Sequence, residues 1–320
     1  MELPEPEALT AIVSRYARLL VEIQSELGPR RLVLPNAQCF PDVFTMDADG
    51  ATTLVRRMAL HAGLGDVPIE ARVVDENGAE AESHGCSSGC QVPTEADGAV
   101  PRLVDDGDGW TLNVPSYELS HPVVLTTTIA RAMAHVFLVE TLPAGASVEA
   151  PADLTADYAA VALGFGPLLL EGAYIYSKGC GGPRVARVTN AGLGELAVLT
   201  ALEVCMRGHS PRAVTKELGV TQAAAFKEAL EWAQSNEGLV KRLANDPARV
   251  AAGDYSLKSA APWLVRLFKK KDASDEFVPA PAPTRAPAAA RSRVPNPHDD
   301  ELRSLVEESL AMTSSRAEAE

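Results

Sequence analysis

The chain has 320 residues, of which 46% are hydrophobic, 22% charged and only 5% aromatic, and its formal charge is −14. A composition this close to the globular average excludes wholesale disorder and fibrous structure. The excess of acid argues against nucleic-acid binding, which needs clustered Lys and Arg for the phosphates, and against docking on anionic lipid.

The first residues, Met1 to Glu7, have neither the basic nor the apolar run of a secretory signal. The longest apolar stretch, residues 158–170, reads as too short and too interrupted by glycine to span a bilayer. Cys39, Cys86, Cys90, Cys180 and Cys205 are odd in number and scattered, which does not make a disulfide framework. A cytoplasmic, reduced protein is the expectation.

Along the chain, Leu9, Ile12, Val13, Tyr16, Leu19, Leu20 and Ile23 recur at three- and four-residue spacing and predict a helix over about 7–27. A strand at 31–35, a helix near 52–62 and a strand at 69–74 follow. Residues 1–120 contain 20 acids against 8 arginines, and the first lysine is Lys178. The acid- and glycine-rich stretch 75–108 reads as a solvated loop. Residues 110–114 alternate as a strand does. Helices are expected at 126–142, 154–177, 193–207, 211–218 and 221–236, with a weaker one near 262–269. From Val278 a Pro/Ala/Arg run reads as an extended linker to Pro297. Beyond it, Leu302, Leu305, Val306 and Leu310 fall on one face of a short amphipathic helix. The fold class expected is therefore α+β, mostly helical, with a small mixed N-terminal part and a disordered C-terminal tail. The boundaries are 1–272 for the folded domain, 273–297 for the linker and 298–320 for the helix and tail.

The stretch with most chemical content is 126–172. One predicted helix has Arg131-Ala132-Met133-Ala134-His135, and the next opens with Asp153-Leu154-Thr155-Ala156-Asp157 and continues through Leu163-Gly164-Phe165-Gly166. This resembles the two-helix zinc site of gluzincin metallopeptidases. More closely, it resembles an uncharacterised bacterial family of HExxH-containing, metallopeptidase-like proteins, whose second helix reads Thr-Asp, an apolar run and Leu-Gly-Phe-Gly. Val33-Leu34-Pro35 with Phe40-Pro41-Asp42, the segment from Leu193 to Gly208, and Lys216-Glu217-Leu218 through Lys227 are similar to other parts of that family. The resemblance implies a zincin-like helix pair, with Arg131, Ala132, His135, Asp153 and Asp157 at the positions of the metal site.

The departures decide what the resemblance implies for activity. Hydrolysis at zinc requires His at i and i+4 to face one ion, and a Glu between them to take a proton from the bound water. Arg131 stands at the first His position and Ala132 at the Glu position, so only His135 and Asp153 remain as candidate ligands. Arginine is no ligand, and its charge repels a cation. The expectation is a catalytically inactive metallopeptidase-like protein with no metal and no cofactor. It would act by binding, as a scaffold or regulatory component, and its partner, an unknown protein, would be engaged through Leu302, Leu305, Val306 and Leu310. Neither nucleic acid nor membrane is expected as a partner. The alternatives are a residual zinc-dependent hydrolase using His135 and Asp153, and a helix-turn-helix regulator through 210–235, where a short helix, a Gly219 turn and Thr221-Gln222 have the required cadence.

Two carboxylates left behind without their metal need compensation. Asp153 and Asp157, four residues apart, would both face the preceding helix. An ion pair of Arg131 with Asp157 is expected to stand in for the metal's charge, with Asp153 or His135 as further partners. His84-Gly85-Cys86-Ser87-Ser88-Gly89-Cys90 lacks a second ligand pair and reads as a loop with free thiols. Gly179 to Pro183 lacks the Lys and Ser/Thr of a phosphate loop and reads as a helix stop.

Overall fold

A computed structural model describes residues 3–28, 31–74, 102–142, 152–179 and 182–258. The loop expected over 75–108 is described only from Arg102, where it is corrected: Leu103–Asp105 form a strand. Its part with Cys86 and Cys90, the expected helix near 262–269, the expected linker and the expected C-terminal helix lie outside the described residues.

The seven apolar positions that predicted the first helix are all buried along α1 (Pro6–Ile23), which is shorter than expected at its C-terminal end. The expected strand at 31–35 is not formed. Its residues run as irregular chain against a distant helix, and the Val33 amide bonds there instead of joining a sheet (2.9 Å to the Gly164 carbonyl). Helix α2 (Ala48–Ala62) begins earlier than expected because Asp47 caps it, accepting from the Gly50 amide at 2.8 Å. It ends where Gly63 turns into the left-handed region, φ +74°.

A small mixed sheet follows. Strand β1 (Ile69–Val74) pairs parallel to β3 (Trp110–Pro115), Ile69 opposite Trp110, and β2 (Leu103–Asp105) pairs antiparallel to β3 on its other side. The remainder is helical: α3 (Pro122–Thr141), α4 (Ala152–Ala160), α5 (Gly166–Gly172), α6 (Leu193–Met206), α7 (Pro211–Glu217), α8 (Val220–Ser235), α9 (Glu237–Asn245) and α10 (Pro247–Ala251). This is the mostly helical α+β architecture that the pattern of periods indicates.

The expected helix over 154–177 is broken twice. A kink at Gly164, within Val161–Phe165, separates α4 from α5, and after Gly172 the chain enters an antiparallel hairpin, β4 (Ile175–Gly179) and β5 (Gly182–Ala186), where a helix stop and loop were expected. Both α3 and the run from Asp153 to Gly172 are long and apolar enough to cross a membrane, which corrects the reading from sequence; here both are core helices, mostly buried in the protein.

Glycines let α5 pass between its neighbours. A Cβ at Gly172 would sit 2.4 Å from the Thr127 side chain on α3, and one at Gly166 would sit 2.6 Å from the Thr200 hydroxyl on α6. Gly164 is more constrained. Its φ is +96°, and a Cβ would lie 2.4 Å from the Arg31 carbonyl oxygen. Both the left-handed backbone and the contact with residue 31 exclude a side chain. Gly164→Ala is therefore expected to destabilise the protein by about 2 kcal/mol or more, combining left-handed strain with overpacking. An unchanged urea midpoint would contradict it.

Candidate functional site

Helix α3 is buried over most of its surface, and Arg131 and His135 are among its half-buried positions. Asp157, on α4, faces α3 and is completely buried, with 0% of its side chain exposed, against 21% for Arg131. The Arg131 guanidinium donates through Nε to Asp157 Oδ1 at 2.6 Å and through Nη1 to the Val188 carbonyl at 3.0 Å. The other carboxylate oxygen, Oδ2, accepts the amides of Asn190 (2.6 Å) and Ala191 (2.7 Å). The pair expected from the sequence is formed, and it bridges three elements: α3, α4 and the strand-to-helix loop 188–191 that leads from β5 into α6.

Burial pushes the Asp157 carboxyl above its ordinary range, against the lowering by Arg131 and by the two amides. The charge is tolerated because all its bonds are made to fixed donors.

The other expected partners do not join. Asp153 is exposed, and the expectation that it shares a buried face with Asp157 is corrected: it lies in the first turn of α4, where its side chain reaches solvent. His135, one turn along α3 from Arg131, lays its ring against Trp110 (centroids 6.2 Å apart, planes at 77°). Trp110 is also held by a bond from Nε1 to Glu140 Oε1 at 2.8 Å. Ala132 is buried and packs in the core. Among the described residues, no three His, Cys, Asp or Glu side chains come together as a metal centre does. A zinc ion does not fit this donor set, in which Arg131 offers a guanidinium, already bonded to Asp157, and Asp153 is exposed.

A second buried polar cluster was not legible in the sequence. Glu203 on α6, 2% exposed, accepts from the Tyr16 hydroxyl of α1 and from Arg207 Nε at 2.6 Å. Beside it the Tyr158 hydroxyl of α4 donates to Glu195 of α6, and the Tyr16 and Tyr158 rings meet edge to face, 6.2 Å apart. Arg15 lies over the Tyr158 ring at 5.7 Å. Burial raises the Glu203 carboxyl and, with the neighbouring carboxylate, the Tyr16 hydroxyl. Tyr16 is simply one more core position in the helical pattern, and nothing local marks its hydroxyl as a partner for a residue 187 positions away.

The segment 210–235 forms two helices, but α8 spends its face internally. Gln222, Phe226, Ala229 and Trp232 are buried, the Gln222 amide donates to the Tyr174 carbonyl at 2.8 Å, and Glu171 accepts the Gly219 amide ahead of the helix at 2.6 Å. One face of α8 is thus packed on the protein's own core, and Ala224, Lys227 and Glu231 lie exposed on the other. Comparison with known protein families, with curated proteins and with solved structures gives no match.

Two predictions follow from the buried charges. Arg131→Ala leaves a fully buried carboxylate with two amides and no counter-charge, and is expected to cost about 3–5 kcal/mol, the range for breaking a buried pair; denaturant unfolding measures it. Glu203 is raised in the folded state, so the folded chain holds this proton more tightly than the unfolded one. Its ionised form is the less favourable one, and lowering the pH from neutral toward the raised value should add stability through this group, with the gain complete below the unfolded value. Wild type should therefore gain stability relative to Glu203→Gln as the pH falls from neutral toward the ordinary carboxylate range; a constant difference between the two would contradict it.

Proposed function

We propose that this chain is a catalytically inactive, metallopeptidase-like protein that acts by binding, as a scaffold or regulatory component. In this reading α3 and α4 are the zincin-like helix pair. The single observation that carries it is the Arg131–Asp157 pair, in which a permanent cation at the first ligand position is bonded to the second helix's buried carboxylate. In the gluzincin arrangement that second-helix carboxylate orients the first His; here it orients a guanidinium. On this reading the place of a metal's charge between the two helices is taken by a guanidinium, which repels a cation. His135, turned edge-on to Trp110, is then a packing residue.

The same reading assigns contact with a protein partner to the segment carrying Leu302, Leu305, Val306 and Leu310, outside the described residues.

Elemental analysis tests the proposal directly. The purified protein is expected to hold no stoichiometric zinc and to cleave no general peptide substrate. About one equivalent of zinc, retained through dialysis against a weak chelator and lost together with a hydrolytic activity, would overturn it in favour of a zinc-dependent hydrolase.

A further inference from the structure

The Arg131–Asp157 pair holds more than two helices: three of its hydrogen bonds fix the backbone of residues 188–191, at the foot of the β4–β5 hairpin. The Val188 amide, bonded to the Gly172 carbonyl at 2.9 Å, closes the hairpin's base from the other side. What is held so firmly has three features of a binding surface. First, Tyr176 and Val185 sit directly opposite each other across the two strands, and each is more than half exposed, at 53% and 56%. An aromatic and a β-branched residue paired in this way ordinarily cover one another against a core; here each keeps more than half of its surface open.

Second, the sheet has only two strands, so each keeps one edge unpaired among the described residues. Pro183 in β5 has no N–H to offer, which leaves β4 as the edge able to accept a further strand. Third, the hairpin's charge opposes that of the chain. Between Glu171 and Glu195 there are Lys178, Arg184 and Arg187 and no acid, in a chain of net charge −14. Arg187 is exposed.

We propose that the β4–β5 hairpin is the docking surface for an extended, acidic segment of a protein partner, which adds to the β4 edge and seats its alternate apolar residues on Tyr176 and Val185. Strand addition supplies affinity through main-chain bonds, and side chains on one face supply specificity. An extended peptide fits better than a nucleic acid, because three cations on an acidic protein make few phosphate contacts while an apolar cross-strand pair favours alternate apolar side chains. The proposal rests on the reading of the chain as a binding protein, and zinc analysis can fail that reading without affecting the titration below.

The test is a titration of the full-length, isotope-labelled protein with a short peptide alternating Glu and Val. A peptide alternating Lys and Val and a short oligothymidylate serve as comparisons. Amide shifts confined to β4, β5 and residues 187–191 are expected for the Glu–Val peptide, with affinity falling as salt is raised. Tyr176→Thr with Val185→Thr keeps strand propensity, and is expected to weaken binding about tenfold or more, the loss of roughly 1.4 kcal/mol or more typical of an anchor pair. Arg187→Glu should weaken it independently. Equal binding of the Lys–Val peptide, oligothymidylate binding at the hairpin in place of peptide, or the absence of any shift in β4 and β5 would each overturn the proposal.

Discussion

A single carboxylate organises the centre of this protein. Asp157 is fully buried, and a buried charge is tolerable only where fixed donors meet both of its oxygens. Arg131 and the amides of Asn190 and Ala191 meet that requirement, and they come from different places in the chain. The positions of α3, α4 and the loop entering α6 therefore follow from one group's need for partners. The hairpin inherits its orientation from the same bonds, because the residues that satisfy Asp157 are the ones that close its base.

The second cluster does for α1 what Asp157 does for the hairpin. Helix α1 presents a continuous apolar face, but apolar burial alone leaves rotation and sliding cheap. The Tyr16 hydroxyl removes that freedom by bonding Glu203, which Arg207 also holds. At the far end of the described chain, Tyr255 bonds the Ser14 hydroxyl and the Thr10 carbonyl, so the last turns lie across α1 as well. Both buried carboxylates are raised by desolvation, Asp157 in spite of Arg131 and Glu203 in spite of Arg207. Specific polar anchoring here comes at the expense of electrostatic free energy.

Periodicity made the helices legible wherever one face was wet. The seven spaced apolar residues of α1 are all buried, and the amphipathic α2 follows its pattern equally well. It failed where helices are buried on every side. From Val161 to Leu170 every residue is buried, so no alternation of wet and dry marks the kink at Gly164 or the end of α5. The hairpin was hidden for another reason: Cys180-Gly181 is not among the strong turn pairs, and Pro183 demotes its own strand. At the candidate site, charge compensation pointed to Arg131 and Asp157 because a guanidinium next to a buried carboxylate has few other options. Asp153 was misplaced since helical spacing alone cannot say where burial begins. The amides of Asn190 and Ala191 could not be read at all, since any residue supplies an N–H.

The contact between Gly164 and the irregular chain at 31–33 has a consequence for hydrogen exchange. The Val33 amide belongs to no helix or sheet, and by its local conformation it should exchange with solvent deuterium as fast as a loop does. Its acceptor, however, is the carbonyl of a residue sealed inside the core. Its proton can leave only when the irregular segment lifts from the helix break, which makes one loop amide a gauge of how tightly two parts of the chain more than a hundred residues apart are joined.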